Sequence, residues 1–352
     1  MFVDIVKKLV DGQNLSYEEA EEAMREIVDG NVTDAQLASF LTALRMKGET
    51  VVELTALAKV MRECCRKVRP RISGRLIDMC GTGGDSIKTF NISTVAAFVV
   101  AGAGVRVAKH GNRAVSGKCG SADLLEMLGL KLEQEPESVE RAIEEVGIGF
   151  MFAPHFHPAM KNAQRVRGEI GIRTTFNVIG PLANPAGVNA QLLGVCDGRI
   201  LNKMAHTLMN LGCEEAFVVH GLNGLDEVST MGKTRVAWLR GMEVKMLEVV
   251  PRDFGVKPCR REDLEIRTRE EAARIAFMVL NGRTGPKADA VLVNAALGII
   301  LGGRADNFVE GMELARESLD SGKAYKKLKE LVKLNGDPSK LERMEETHGR
   351  LS

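Results

Sequence analysis

Residues 75–129 decide the fold, because they alternate short apolar strands with glycine-rich loops and helices. In order they read RLIDMC (75–80), GTGGDSIKTFN (81–91), ISTVAAFVVAGAG (92–104), VRVAKH (105–110), GNRAVSGKCG (111–120) and SADLLEMLG (121–129). This repeated order of strand, loop and helix is typical of an α/β fold with a parallel sheet. In such sheets ligands bind at the carboxyl ends of the strands, which is where both glycine-rich loops lie.

The chain before this stretch is predicted to be helical. Three pairs, Ser16–Glu19, Thr33–Gln36 and Thr50–Glu53, have the spacing of a capping box, and each is followed by apolar residues at helical spacing. Pro70 and the Ser73–Gly74 pair mark the end of this region. We therefore expect residues 1–70 to form a small all-helical domain and residues 71–352 to form a larger α/β catalytic domain. A helical layer this thin needs the rest of the chain, or a second chain, to pack against.

The remainder of the chain continues the mixture of strands and helices. Four apolar segments are predicted as strands: IGFMFAP (148–154), FVVHG (217–221), TRVAWL (234–239) and VKMLEVV (244–250). Helical spacing returns from His157 to Glu169. From about residue 267 to 345 the pattern predicts three or four amphipathic helices, with NAALGII (294–300) buried.

Composition excludes several classes of protein. The chain has 352 residues, enough for about two domains, and its 48 basic and 47 acidic side chains give a net charge of +1. Such a balance provides no general field for nucleic acid or an anionic membrane, so we expect neither partner. Seven cysteines without a CxxC pair indicate free thiols in a reducing compartment. Because the N-terminus does not read as a signal peptide and no apolar run could span a bilayer, we expect a cytoplasmic protein.

The first glycine-rich loop, CGTGGD (80–85), follows a strand and precedes a helix. A loop of this kind exposes backbone N–H groups and a helix N-terminus, both of which attract phosphate. It is not a dinucleotide fingerprint, because Ser86 stands where the third glycine belongs. A tight structural turn is the alternative interpretation.

The second glycine-rich loop, GNRAVSGKC (111–119), resembles a Walker A loop but is one residue too long. It also carries Cys119 where a serine or threonine should hold the metal. Lys109, His110, Asn112 and Arg113 surround it. Two such loops at neighbouring strand ends predict a ligand with two phosphate groups.

Acidic and basic side chains further along the chain suggest how that ligand is held. Asp226 and Glu227 stand side by side in a loop after a strand, and Mg²⁺ prefers carboxylates together with ligand phosphates. The pair His155 and His157 has metal-ligand spacing but no third ligand nearby, so a pocket lining is favoured. Of Arg165, Arg167 and Arg173, one could bind a substrate carboxylate with its two-pronged guanidinium, and the residues alone do not decide which.

Five motifs together resemble the anthranilate phosphoribosyltransferase family. They are GTGGDSIKTFNIST (81–94), KHGNRAVSGKCGSADLLE (109–126), FAPHFHPAMK (152–161), VRGEIGIRTTFNVIGPLANPAG (166–187) and HGLNGLDEVS (220–229), in the order and spacing of that family. The resemblance runs from the N-terminal helices to SGKAYKKL (321–328), nearly the whole chain. It implies a nucleoside phosphorylase/phosphoribosyltransferase-type fold, in which a returning segment at about 157–185 joins the helical domain. It also implies a mostly parallel sheet at the centre of the larger domain.

The resemblance also implies a reaction, a cofactor and partners. The implied reaction is transfer of the phosphoribosyl group of 5-phosphoribosyl 1-pyrophosphate to anthranilate, giving N-(5-phosphoribosyl)anthranilate and pyrophosphate in tryptophan biosynthesis. Two Mg²⁺ ions per subunit and a homodimer formed through the helical domain are expected. Association with anthranilate synthase subunits is a further expectation.

The same resemblance assigns roles by position. It implies that phosphoribosyl pyrophosphate is bound by Gly81, Gly84, Asp85, Thr89, Asn91, Ser93, Thr94, Lys109, Ser116, Gly117 and Ser121. It implies that anthranilate is bound by Gly81, His110, Asn112 and Arg167, and the metal by Ser93, Asp226 and Glu227. Lys109, Asn112 and Arg167 are the implied catalytic residues, so the resemblance selects Arg167 among the three arginines.

Departures from the family and competing functions are few. Asn223 stands where the family often has aspartate, and Cys80 and Cys119 are unusual beside phosphate loops. A nucleoside phosphorylase-like enzyme is one alternative, but it does not need the Asp226–Glu227 pair. A nucleic-acid-binding protein of the same fold is the other, and it predicts a basic surface that the net charge of +1 does not supply.

Overall fold

A seven-stranded sheet forms the centre of the computed structural model, which describes residues 1–84, 87–114 and 119–349. The strands are β1 (Leu76–Gly81), β2 (Arg106–Gly111), β3 (Ile148–Phe152), β4 (Ala190–Gly194), β5 (Glu215–Gly221), β6 (Thr234–Arg240) and β7 (Glu243–Val249). Their order in the sheet is β3-β2-β1-β4-β5-β6-β7. The first five are parallel, and β6 and β7 are antiparallel additions at one edge. The predicted mostly parallel α/β sheet is confirmed.

Glycines stand at the carboxyl ends of four of the five parallel strands. Gly81 of β1 pairs in register with Gly194 of β4, and Gly111 of β2 with Phe152 of β3. Gly221 ends β5. Strand β4, for which no prediction was made, separates β1 from β5 and so places its own C-terminal glycine between theirs.

Helices cover both faces of this sheet. They are α1 (Phe2–Val10), α2 (Tyr17–Val28), α3 (Asp34–Lys47), α4 (Val51–Glu63), α5 (Ile92–Gly102), α6 (Ser121–Met127), α7 (Pro136–Arg141), α8 (Ala153–Phe156), α9 (Lys161–Ile170), α10 (Thr175–Ile179), α11 (Leu201–Asn210), α12 (Arg269–Leu280), α13 (Pro286–Leu301), α14 (Phe308–Asp320), α15 (Lys323–Asn335) and α16 (Pro338–His348). A π-helical turn, Ala142–Val146, continues α7.

The three predicted capping boxes start α2, α3 and α4. At α2, the Ser16 hydroxyl accepts a hydrogen bond from the Glu19 N–H at 3.2 Å, and the Glu19 carboxylate accepts one from the Ser16 N–H at 2.7 Å. The same reciprocal pair begins α3 and α4. Each box satisfies N–H groups that the first turn of a helix leaves without a partner.

The N-terminal helices do not close on themselves. Their apolar side chains share one cluster with Val166 of α9, Phe176 of α10 and Leu208 of α11, and with Leu193 and Val218 from one face of the sheet. The expectation that this layer needs a further surface is therefore met within the chain. Because the N-terminal helices share one continuous apolar core with α9, α10 and the sheet, its burial holds α9 and α10 against them.

On the opposite face α5 and α13 pack side by side against the sheet and against each other. Both helices are almost wholly apolar, and the predicted buried stretch NAALGII lies within α13. A Cβ on Gly298 of α13 would lie 2.7 Å from Val100 of α5, so glycine permits this close contact.

The expected number of C-terminal helices was wrong. Within the described residues from 269 to 348 there are five helices, α12–α16, rather than three or four. Asn307 caps α14 through its side chain, Gly322 in a left-handed conformation precedes α15, and Asp337 caps α16. These three interruptions divide a continuous amphipathic pattern into short helices.

Among the residues that the structure describes, no helix has the length and apolar character needed to cross a membrane.

Candidate active site

The first glycine-rich loop leaves β1 and crosses the end of β4. The Thr82 N–H donates to the Gly194 carbonyl at 2.9 Å, and the Thr82 hydroxyl accepts from the Cys196 N–H at 3.3 Å. Gly83 and Gly84 then take positive φ angles of 63° and 80°, which other residues adopt only at a cost. The loop is therefore anchored at its start and turns by means of its two glycines.

Asp226 lies across the carboxyl ends of β1 and β4. A Cβ on Gly81 would lie 2.3 Å from its carboxylate oxygen Oδ2, and one on Gly194 would lie 1.6 Å from its carbonyl oxygen. The same Oδ2 accepts a hydrogen bond from the Gly83 N–H at 2.7 Å. Burial raises the pKa of Asp226, although this N–H and the charge of Arg173 favour its ionised form. A cation bound here would favour the ionised form further.

Glu227 extends the acidic pair to the start of α5. Its Oε1 accepts a hydrogen bond from the Ser93 N–H at 3.1 Å. The three residues expected to bind metal, Ser93, Asp226 and Glu227, are thus brought to one end of the sheet. Among the described residues no group of three His, Cys, Asp or Glu side chains is arranged to hold a metal ion.

Asn91 links the two glycine-rich loops. It precedes α5 in a left-handed conformation, with φ of 65°, and its amide donates to the Cys119 carbonyl at 2.8 Å. Its Oδ1 is buried and has no hydrogen-bond partner within the described chain. A buried polar atom of this kind requires a partner, and a ligand or metal-bound water at the loops could supply one.

Asp123 closes the neck of the second loop, a role that sequence reasoning missed. Its Oδ2 accepts from the N–H groups of Ala114 at 3.0 Å and Gly120 at 2.9 Å, and its Oδ1 pairs with Arg113 at 3.0 Å. Burial works to raise the pKa of Asp123, but these donors lower it below its ordinary value. The sequence signal that could have identified this role is an aspartate three residues after Gly120, the residue that precedes α6.

Two predicted ligands lie beside this neck. Ser121 donates to the Asn112 carbonyl at 3.3 Å, and a Cβ on Gly111 would lie 2.1 Å from the Ser121 hydroxyl oxygen. The Asn112 carboxamide oxygen accepts from the Arg113 N–H at 2.7 Å. Asn112 itself is exposed at the end of β2.

Lys109 is buried inside the sheet. Its ammonium group donates to the Met79 carbonyl at 2.5 Å instead of pointing into either loop. Nearby, the Asp78 carboxylate accepts from Asn184 at 2.8 Å and from the His110 N–H at 3.3 Å. Burial raises the pKa of Asp78, whereas the charge of Lys109 lowers it. Asn184 was not among the predicted site residues, although the quoted motif GPLANPAG contains it.

His110 lies against His157, with ring centroids 5.1 Å apart. Both rings are buried, and within the described chain the Nε2 atom of each has no hydrogen-bond partner. Burial lowers the pKa of His110 well below its ordinary value and that of His157 to about 4. Both rings are therefore neutral at pH 7. Among the described residues no third His, Cys, Asp or Glu side chain joins the two histidines to form a metal site.

The surroundings of the three arginines differ. Arg165 is exposed and pairs with Asp34 and Glu169. Arg167 is half-buried, with its guanidinium carbon 5.6 Å from the Phe176 ring centroid and no hydrogen bond or ion pair to any described residue. Burial lowers its pKa from an initially very high value, so it remains charged. An unpaired, partly desolvated cation is suited to bind an anion.

The remaining predicted ligands are distributed as follows. Thr89 and Thr94 lie at the end of the first loop and in the first turn of α5, with Thr94 buried and its N–H bonded to the Asn91 carbonyl. The contacts described above join Gly81, Ser93, Asn91, Asp226 and Glu227 around the two loops. Arg167 lies on α9, and its guanidinium makes no hydrogen bond or ion pair with a described residue. Asp85, Ser116 and Gly117 lie outside the described residues.

Two family models match the chain, and both describe a glycosyl transferase family. The helical bundle domain matches residues 3–65, and the a/b domain matches residues 73–325.

Individual relatives extend this similarity over almost the entire length. The chain is 49% identical over 332 residues to an anthranilate phosphoribosyltransferase of Petrotoga mobilis, covering 94% of this chain and 96% of that one. Its structure resembles the anthranilate phosphoribosyltransferase of Thermus thermophilus, with 45% identity, a TM-score of 0.89 and coverage of 94% and 99%. It also resembles the Saccharomyces cerevisiae enzyme in complex with phosphoribosyl pyrophosphate and Mg, with 30% identity, a TM-score of 0.86 and coverage of 95% and 97%.

Proposed function

The chain belongs to the anthranilate phosphoribosyltransferase family, and we propose that the carboxyl edge of its sheet is the active site. The protein transfers the phosphoribosyl group from phosphoribosyl pyrophosphate to anthranilate, a step of tryptophan biosynthesis. It is a glycosyltransferase-type enzyme that uses Mg²⁺. The observation that carries the site assignment is Asp226, buried over Gly81 and Gly194 and bonded to the first glycine-rich loop.

In this proposal phosphoribosyl pyrophosphate lies between the two loops. The Gly84 N–H provides a donor for phosphate oxygens, whereas the N–H of Gly83 is bonded to Asp226 and that of Ser93 to Glu227. The unpartnered Oδ1 of Asn91 lies at the junction of the loops and supports the same location. Lys109 acts as a phosphate ligand only if its ammonium group leaves the Met79 carbonyl.

Asp226 and Glu227, with the Ser93 hydroxyl, would hold the magnesium, which we propose to be two ions per subunit. The donor set fits, because Mg²⁺ is usually bound by one or two carboxylates plus substrate phosphates. When bound, the ions neutralise charge that develops on the departing pyrophosphate. Asp226 contributes a buried carboxylate that the Gly83 N–H holds in place. Burial raises its pKa, and a bound cation would favour the ionised form.

Arg167 and Asn112 are proposed to hold anthranilate. The Arg167 guanidinium has no partner in the described chain and lies beside the Phe176 ring, so it can pair with a carboxylate carried by an aromatic ring. His110 is neutral, which leaves its unpartnered Nε2 available for a hydrogen bond without adding charge.

The reaction then requires orientation more than proton transfer by the protein. The anthranilate nitrogen bonds to C1 of the ribose as the bond from C1 to pyrophosphate breaks, and the electron pair leaves with pyrophosphate. The newly bonded nitrogen is cationic and acidic, so water can take its proton without a strong base. Positioning the nitrogen against C1 and stabilising the leaving charge are the main contributions of the chain.

We also propose that the enzyme is a homodimer formed through its helical domain, defined as residues 1–70 with the segment 157–185. Several apolar side chains of this lobe are exposed in the single chain, among them Val3 at 47%, Val10 at 69% and Met46 at 83%. Multi-angle light scattering tests the dimer, which a stable monomer of 38.3 kDa would exclude.

Seven free cysteines suit a cytoplasmic location. Association with anthranilate synthase subunits is a further proposal.

The activity assay follows the loss of anthranilate fluorescence with phosphoribosyl pyrophosphate and Mg²⁺, and EDTA is the control. We expect loss of emission that stops with EDTA and returns with excess Mg²⁺. Calorimetry with Mg²⁺ and phosphoribosyl pyrophosphate then counts the ions per subunit. Turnover unaffected by EDTA would contradict the proposed metal site.

A further inference from the structure

Arg173 occupies a fixed position between two helices of the segment that also carries Arg167. Gly171 ends α9 in a left-handed conformation. The Thr174 N–H, just before α10, donates to the Asn177 side-chain oxygen at 2.9 Å, and the Thr174 carbonyl accepts from the Asn177 N–H at 2.9 Å. The following Thr175 hydroxyl donates to the buried Glu49 carboxylate at 2.6 Å. The backbone on either side of Arg173 is therefore held firmly by the helical lobe.

The Arg173 side chain reaches across to the first glycine-rich loop. Its Nη1 donates to the Gly83 carbonyl at 2.5 Å, and its Nη2 donates to the Thr82 carbonyl at 3.3 Å. A Cβ on Gly84 would lie only 1.3 Å from Nη1, so the guanidinium fills the space that this glycine leaves open. Two separate donors of one planar group thus bind two successive carbonyls.

The N–H groups of the same two peptide units, on Gly83 and Gly84, point away from Arg173. In a trans peptide the C=O and the following N–H face opposite sides. The Thr82 carbonyl accepts from Arg173, and the N–H of the same unit, on Gly83, donates to Asp226 at 2.7 Å. The Gly83 carbonyl likewise accepts from Arg173, which directs the Gly84 N–H away from the arginine.

We propose that Arg173 is a positioning residue for phosphoribosyl pyrophosphate. It orients two peptide units of the glycine-rich loop so that their N–H groups face the pyrophosphate and Asp226. The segment Lys161–Ile179 then serves both substrates, with Arg167 for the carboxylate of anthranilate and Arg173 for the phosphate loop. The inference rests on the proposed location of phosphoribosyl pyrophosphate.

The geometry requires arginine specifically. A guanidinium presents several N–H donors in a rigid plane, whereas the ammonium of lysine is a compact charge on a flexible stem. Lysine at this position keeps the charge but cannot hold both carbonyls at fixed separation. Glutamine keeps one donor group and loses the charge.

The test compares Arg173→Lys and Arg173→Gln with wild type and with Arg165→Ala. Arg165 lies in the same segment but pairs on the surface with Asp34 and Glu169, so it is a matched control. Calorimetry measures the Kd of Mg²⁺–phosphoribosyl pyrophosphate without anthranilate, and steady-state kinetics give KM for each substrate. Thermal unfolding is recorded for all four proteins.

We expect Arg173→Gln to raise the Kd and KM of phosphoribosyl pyrophosphate by at least about tenfold, as for loss of charged hydrogen bonds. Arg173→Lys should fall in between, and the KM for anthranilate at saturating phosphoribosyl pyrophosphate should stay within about twofold of wild type. Arg165→Ala should leave all three values unchanged.

Two results overturn the inference while leaving the proposed function intact. One is wild-type affinity for phosphoribosyl pyrophosphate in both Arg173 variants. The other is an equal loss for both substrates together with a lowered Tm, which indicates a structural role only. Failure of the wild-type protein to bind Mg²⁺–phosphoribosyl pyrophosphate overturns the proposed site itself, and the inference with it.

Discussion

Substitution of Gly194 by alanine tests whether the position of Asp226 governs catalysis. The new methyl group would lie 1.6 Å from the Asp226 carbonyl oxygen and 2.5 Å from its carbonyl carbon. Ordinary contact begins at 3.4 Å, so the two atoms must separate by about 1.8 Å (3.4 minus 1.6). Both belong to backbone or Cβ, so neither can rotate away as a long side chain could.

The magnitude follows from this displacement. Overpacking of a well-packed site costs about 1–3 kcal/mol of unfolding free energy. Misplacement of a catalytic group by about 1 Å lowers the rate on the order of a hundredfold. We therefore expect kcat/KM to fall at least about a hundredfold, with a weaker apparent affinity for Mg²⁺, in a protein that remains folded.

The assay measures anthranilate consumption against Mg²⁺ concentration, with unfolding followed by circular dichroism. Gly232→Ala is the control, because Gly232 lies in the same connection as Asp226 and its Cβ would meet no atom within 4 Å. Gly81→Ala is a second variant, in which the Cβ meets the more mobile Asp226 carboxylate at 2.3 Å. If Gly194→Ala keeps wild-type kcat/KM and Mg²⁺ dependence, the proposed role of Asp226 is refuted.

Three further predictions follow from the same site. Arg167→Ala should raise the KM for anthranilate by roughly 10- to 150-fold, because a charged hydrogen bond contributes about 1.5–3 kcal/mol. An equal rise for phosphoribosyl pyrophosphate in steady-state kinetics would contradict the assignment of Arg167. Replacing both Asp226 and Glu227 by alanine should abolish turnover in the fluorescence assay without rescue by excess Mg²⁺, and retained activity would mean that the metal is held elsewhere. The pKa of His157 is lowered to about 4 in the folded chain, whereas in the unfolded chain the ring takes up a proton near pH 6.5. The free energy of unfolding is therefore unaffected by this ring above about pH 6.5 and decreases as the pH falls toward 4. This ring lowers the free energy of unfolding by about 3 kcal/mol once the pH is below 4. Chemical denaturation at pH 7 and 4.5 should show that the unfolding free energy of His157→Gln depends less on pH than that of wild type. An unchanged pH dependence would exclude His157 as the cause.

Local features of the fold were predictable because neighbouring residues determine them. The capping boxes at Ser16, Thr33 and Thr50 depend on side chains three residues apart, and all three are present. The strands and helices that flank the glycine-rich loops of residues 75–129 were also predicted correctly, since apolar runs and helical periodicity act over a few residues. The short strand β4 and helix α11 were not assigned, and the C-terminal helices were undercounted, because caps and glycines divide one continuous pattern there.

Roles of single side chains were harder to predict, because they depend on partners distant in sequence. The chain itself offers Arg165, Arg167 and Arg173 as equals, and the resemblance alone selected Arg167. In the folded chain Arg165 pairs on the surface and Arg173 binds the glycine-rich loop about 90 residues away, which leaves Arg167 unpaired. Three cations in nine residues thus acquire different partners through the packing of α9 and α10.

The α/β alternation, the helical N-terminal region, the two glycine-rich segments and the family were all readable from the order of residues along the chain. The place of β4 between β1 and β5 emerges only in the folded chain. There the connection after β5 crosses Gly81 and Gly194 and brings Asp226 onto the first loop. The two kinds of feature differ because they depend on interactions over different distances along the chain. Capping and periodicity are set within a few residues, whereas strand order and the burial of a carboxylate result from packing the whole chain around one sheet.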